Sequence, residues 1–329
     1  MDEAIKKPDG EADVLFAEAC CRYAAAVEIA PKAWWVPWTL ADTLRRRSLL
    51  KDGEEERQLL LEARDALVSA LLCLPNESRL LVSLGMVFHE LADASSGEEA
   101  LSWHRVARVK LEASLELDPN NANTLQRLGA TLTDLANAVS GQESDRLFEL
   151  VYEKHDEAAK LDPEEPEIPY SWGCALDDQA KRKQGKDAAR LLRLVCVKYE
   201  KAIDLKPDYY EALHNWGNAL SRLASLTGEE EAVALNEQAE NLYLRAVDLG
   251  SDFSAWVLAG IAAGRGDEEQ CRRWLLASVH LGFLEKGDGD MPWGDPHFAH
   301  FRDKRWFREL VSELGFPPGE ELPFAHHGQ

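Results

Sequence analysis

The sequence predicts an all-α chain: stacked antiparallel helix pairs forming an α-solenoid of about thirteen or fourteen helices. Three kinds of residue predict it, each recurring every 44 positions. Prolines close Ala-rich stretches at Pro31, Pro75, Pro119, Pro163 and Pro207. A small residue stands five before each of them (Ala26, Ala70, Ser114, Ala158, Ala202), and Ala246 continues the series. Glycines recur in two phases. One holds Gly85, Gly129, Gly173 and Gly217, with Ala41 in the same phase; the other holds Gly53, Gly97, Gly141 and Gly185, with Gly228 one residue out of step. A fixed period over this length is the signature of a repeat architecture.

The elements follow in order. Residues 1–11 are expected to be disordered, and 12–31 to form a single capping helix, half a repeat. Residues 32–251 hold five 44-residue repeats, each with a helix A after the proline. In the repeat after Pro119, Leu125, Leu128, Leu132 and Leu135 share one stripe of a 3.6-residue helix. A glycine turn leads to helix B, which runs to the next proline. Proline cannot continue that helix but suits the start of the next. Gly129 and its equivalents fall in mid-helix, at a cost of about 1 kcal/mol against alanine. That recurring cost predicts close approach of helix B, with the small residue before each proline as the matching surface. Residues 252–283 drop the ten-residue surplus and form a sixth, shorter pair. Residues 284–315 read as a C-terminal cap and 316–329 as a flexible tail.

These motifs resemble the tetratricopeptide (TPR) family. Leu84-Gly85, Leu128-Gly129, Trp172-Gly173 and Trp216-Gly217 match its first-helix motif, and the Ala and Pro series match its second helix and closing proline. The family period is about 34 residues. Here five residues are added to each helix, about 7 Å at 1.5 Å per residue. The resemblance covers about residues 12 to 281. It implies a right-handed superhelix whose A helices line a concave wall, and a protein-binding role without catalysis.

Composition narrows the function. The 329 residues are 45% hydrophobic and carry a net charge of −22. A surface that acidic repels phosphate backbones, which argues against a nucleic-acid binder. No apolar run approaches the roughly 20 residues of a membrane span, and the N-terminus lacks the apolar core of a secretory signal. Six cysteines (20, 21, 73, 174, 196, 271) are scattered with no CxxC spacing. Reduced thiols and a cytoplasmic location are expected from this, with Cys20 and Cys21 read as buried at close helix contacts.

Catalytic signals are weak. His89-Glu90 lacks the second histidine of HExxH, and the Asp288/Asp290 stretch has Trp293 where a calcium loop needs glycine. His297, His300, His326 and His327 read as exposed or cap-packing residues. No phosphate-binding glycine loop and no nucleophile elbow occurs. No catalytic, cofactor or metal residues are expected.

The site implied by the resemblance is the concave wall. Side chains at fixed offsets from the mid-helix glycine face it: Trp38, Asp42 and Arg45; Met86 and His89; Gln126; Tyr170, Asp177 and Asp178; His214, Asn218 and Arg222. One TPR subclass clamps a C-terminal carboxylate with Lys and Asn; here Asn218 fits, but His214 replaces the lysine. Trp34 and Trp35 join Trp38 near the start of the first A helix, since Pro37 suits only a first turn. They either pack on the capping helix or form an aromatic anchor for a partner. The expected function is a scaffold or adaptor that holds a peptide or helix of a partner protein of basic or mixed charge. The alternative is a structural subunit that self-associates into homo-oligomers.

Overall fold

A computed structural model of the chain describes residues 9–30, 32–282 and 296–313. The readings for Pro31, the loop at 283–295, residues 1–8 and the tail from 316 lie outside them. The described residues form fourteen α-helices and one 3-10 turn, with no strand among them. The helices are α1 (Asp9–Ile29), α2 (Trp35–Ser48), α3 (Gly53–Cys73), α4 (Ser78–Asp93), α5 (Gly97–Leu117), α6 (Ala122–Ala138) and α7 (Gly141–Leu161). They continue as α8 (Glu167–Lys181), α9 (Gly185–Leu205), α10 (Tyr210–Ala224), α11 (Glu229–Asp248), α12 (Asp252–Gly264) and α13 (Glu268–Leu281). The turn Pro296–Phe301 and α14 (Arg305–Glu313) complete the order. Helix α1 starts inside the stretch read as disordered up to residue 11.

The chain divides into two compact units, residues 1–179 and 180–329. In the first, α1 to α7 pack in sequence, each of α1 to α6 on the helix that follows it, and the A helices α2, α4 and α6 also touch in succession. The core lies in the seams. Leu60, Ala63, Leu67, Leu80 and Leu91 are almost fully buried in one cluster. Helix α1 is tied on by a small cluster of Ala12 and Phe16 and by Asp13, which pairs with Arg47 Nε at 2.7 Å and Lys51 Nζ at 2.9 Å.

In the second unit α9 to α13 pack in sequence, and the 3-10 turn lies on α12. Phe298, Phe301, Phe307 and Leu310 share a buried cluster with Ala259, Cys271 and Leu275. Trp306 Nε1 donates to Glu268 Oε1 at 2.7 Å, which fixes α14 to the start of α13.

The two glycine phases do different physical work. A methyl group at Gly85, Gly129 or Gly217 would meet Leu111, His155 or Tyr243 of the following B helix at 2.8, 2.8 and 2.5 Å. The close approach is therefore to large side chains, not to the small-residue series. Those small residues pack elsewhere: Ala158 clusters with Leu125 and Ile168, and Ser114 Oγ meets Ser78 Oγ at 2.8 Å. They admit the ends of A helices to the end of helix B. Gly141, by contrast, opens α7 with φ +66°, and a methyl group there would touch nothing within 4 Å. Its requirement is the left-handed backbone, which costs an ordinary residue about 1–2 kcal/mol. Gly228, out of step in the sequence, has an ordinary φ of −73°.

Candidate functional site

In the first unit, residues expected on the wall join consecutive A helices. Trp38 Nε1 donates to Ser83 Oγ at 3.1 Å, Arg45 Nη1 to Glu90 Oε1 at 2.8 Å, and Gln126 Nε2 to Ser171 Oγ at 3.1 Å. Each partner stands 45 residues on, one repeat plus one position. Parallel A helices in neighbouring repeats place these side chains opposite each other, so they form rungs between helices. Asp178 also links consecutive A helices, at a spacing of 41 residues, accepting from Asn137 Nδ2 at 3.0 Å.

The charged rungs are concentrated on α2 and α4. Asp42 accepts from Arg46 Nε at 2.9 Å and lies 3.6 Å from Arg45. Burial raises the Glu90 carboxyl pKa despite the Arg45 charge, and Glu90 Oε2 is buried without a hydrogen-bond partner. Burial and the nearby Arg45 charge lower the Arg127 pKa. Met86 sits half-buried on α4.

Two residues leave the expected wall. His89 lies among α4, α5 and α6: its ring meets that of His104 edge-on at 5.3 Å, and its Nδ1 is 3.2 Å from Thr131 Oγ1. Four residues past Gly85 is about one helical turn, so His89 faces the seam as the glycine does. Asn218 accepts from the Tyr243 hydroxyl at 2.8 Å, and its Nδ2 is 3.0 Å from His214 Nε2. The Tyr243 ring reaches past Gly217, and that draws Asn218 into the A–B seam. His214 Nδ1 in turn lies 2.9 Å from Ser254 Oγ, and burial lowers its pKa. Tyr170, Asp177 and Arg222 are half-buried on α8 and α10.

The Trp34 and Trp38 rings lie 5.9 Å apart, tilted by 32°, with the Arg79 guanidinium of α4 at 5.8 and 5.9 Å from their rings. They pack against the core cluster and reach α4 through Arg79 and Ser83. Trp35 is the exposed member, at 55%. Pro37 is buried in the first turn of α2. Among the cysteines, Cys20 is buried and its thiol pKa rises to about 11 through burial. Cys21 is exposed, correcting its expected burial: adjacent helix positions turn by about 100° and cannot share the seam.

A cleft of about 500 Å³ opens between the N-terminal halves of α6 and α8. Asn123, Gln126 and Arg127 line one side, and Glu165, Glu167 and Ser171 the other. The apolar Ala122, Ala130 and Ile168 form part of the lining. Arg127 Nε donates to Asn123 Oδ1 at 2.8 Å, holding the guanidinium along α6. Gln126 is among the residues expected from the sequence; Arg127, Ser83 and Ser171 are not. For Ser83 and Ser171 the signal is the spacing of 45 positions from Trp38 and Gln126; Arg127 has no polar residue at that spacing.

Comparison with known proteins adds two findings. The family described as the plant-specific mitochondrial import receptor subunit TOM20 matches residues 142–256, about a third of the chain. Among solved structures, Pseudomonas aeruginosa pilF is 16% identical, with 83% of this chain and 97% of that one covered and a TM-score of 0.48. YrrB, described as a TPR protein with an unusual peptide-binding site, is 15% identical over 69% and 96%, at 0.43. MamA of Desulfovibrio magneticus RS-1 is 17% identical over 65% and 94%, at 0.44.

The described residues form the all-α array of antiparallel helix pairs that the sequence leads one to expect. No curated protein matches the chain. The cytoplasmic expectation is overturned by the import-receptor match, whose description is mitochondrial. Scattered cysteines and an acidic surface report redox state and charge; neither carries an address. No helix among the described residues is long and apolar enough to cross a membrane.

Proposed function

We propose that the chain is a non-catalytic, receptor-type scaffold. It holds an extended peptide or single helix of a partner protein against the A helices of its first unit, at the cleft between α6 and α8. The carrying observation is the lining of that cleft. Amide, hydroxyl and guanidinium groups from Gln126, Ser171 and Arg127 border an apolar floor at Ala130 and Ile168. Such a mixture of apolar surface and a few convergent polar groups suits a binding site. Rigid helices lose little freedom on binding. Asp162, Glu165 and Glu167 outnumber Arg127 at the rim, and the chain carries −22 overall, so a basic or mixed-charge segment is the complementary ligand. The similarity to an import-receptor family supports a role in recognising other polypeptides at mitochondria.

The test is capture of partners from mitochondrial extract on the immobilised full chain, followed by calorimetry with the recovered protein. Glu165→Lys together with Gln126→Ala is expected to weaken binding by on the order of 2 kcal/mol, the hot-spot scale. Circular dichroism controls for folding. Undiminished binding by the folded double variant removes the cleft from the account. Sedimentation of the pure protein as a stable high oligomer favours the self-associating subunit instead.

A further inference from the structure

Three consecutive helices bring His89 (α4), His104 (α5) and Asp134 (α6) together. One ligand atom from each lies within 4.8 Å of the other two. His89 Nδ1 stands 3.7 Å from Asp134 Oδ2, and its Nε2 stands 3.7 Å from Asp93 Oδ2. His104 is 7% exposed, and its Nδ1 is buried with no hydrogen-bond partner. A buried imidazole nitrogen left without a partner costs free energy. Its position beside a second imidazole and a carboxylate suggests what it awaits.

We propose that His89, His104 and Asp134 bind a divalent transition-metal ion of the zinc class, which clasps α4, α5 and α6 together. Two imidazoles and one carboxylate are a nitrogen and oxygen set that zinc accepts in tetrahedral geometry, with water at the fourth position. Whichever nitrogen of His89 takes the metal, the other faces an oxygen: Thr131 Oγ1 at Nδ1 or Asp93 at Nε2. Such outer partners orient histidine ligands.

The experiment titrates the metal-stripped full-length chain with Zn²⁺ by calorimetry and records the visible absorption of the Co²⁺-loaded protein. The expected result is one saturable site, a tetrahedral Co²⁺ spectrum, and a raised Tm with Zn²⁺. Asp134→Asn and His104→Gln are each expected to weaken Zn²⁺ binding at least tenfold, whereas the double variant His326→Ala/His327→Ala binds as the parent does. Where His104→Gln fails to fold, Asp134→Asn decides, because that side chain is 38% exposed and the change is nearly isosteric. Absence of a saturable site, unchanged affinity in Asp134→Asn, or loss of the site only in the tail variant would overturn the proposal.

Discussion

The Cα of Gly129 lies so near the His155 ring that an added methyl carbon would stand 2.8 Å from Nε2. His155 is fully buried on α7, and its ring stacks on Trp172 at 6.1 Å. The ring therefore has little room to retreat. The same relation holds between Gly217 and Tyr243, and in both cases the absent side chain sets the distance between helix A and helix B.

Gly129→Ala is expected to destabilise the protein by up to about 2 kcal/mol. Alanine gains about 1 kcal/mol of helix propensity, but overpacking against a buried ring costs about 1–3 kcal/mol. In a denaturant melt, pairing it with His155→Ala should cost less than the two single changes summed, because the deleted ring frees the space. Strict additivity would mean that the close approach lies elsewhere. Gly141→Ala should also cost about 1 kcal/mol or more, through its positive φ, and should be additive with His155→Ala.

Asn218→Ala is expected to cost about 1–2 kcal/mol, since it removes the acceptor of the Tyr243 hydroxyl, and Tyr243 is 1% exposed. A buried donor without its partner carries most of that cost. Tyr243→Phe in the same chain should recover part of the loss in thermal melts. A freely solvated Asn218 would give no change in either background.

Arg45→Met should destabilise by on the order of 2 kcal/mol, because Glu90 then keeps a half-buried charge without its 2.8 Å partner. Replacing Glu90 by Gln as well is expected to restore much of the stability. If both variants melt alike, the rung between α2 and α4 contributes little.

The contact of α1 with α2 should depend on pH. Hydrogen bonding to Arg47, with help from Lys51, holds the Asp13 carboxyl below its ordinary 3.8 despite some burial. A lowered folded-state value means that the contribution is complete above 3.8 and is lost as pH falls through the lower value. Asp13→Asn is thus expected to cost about 0.5–1 kcal/mol at pH 7 and progressively less below pH 4. A penalty that stays constant down to pH 2 would assign the effect to packing.

Much of the repeat unit could be read directly. Leu125, Leu128, Leu132 and Leu135 are all buried, because a helical stripe is a local property of a 3.6-residue period. Gly141 opens a helix with positive φ because a left-handed residue is a local demand too. The site was read less well. Trp38 was named but its partner Ser83 was not, and Asn218 was assigned to the wall although it bonds to Tyr243. Each such pairing joins residues of different helices, and a position's offset within one helix does not say how far a large side chain from the next will reach.

The sequence by itself determined the helices, their pairing and the glycine positions, since periodicity, turn chemistry and the missing side chain act within a few residues of the chain. Only the tertiary structure decided that His155 rather than Ala158 meets Gly129, that Gln126 and Ser171 border one cleft, and that His89, His104 and Asp134 converge. The reason is physical. Convergence depends on how three helices are spaced and rotated against one another, and close packing fixes those quantities jointly, over side chains far apart in sequence.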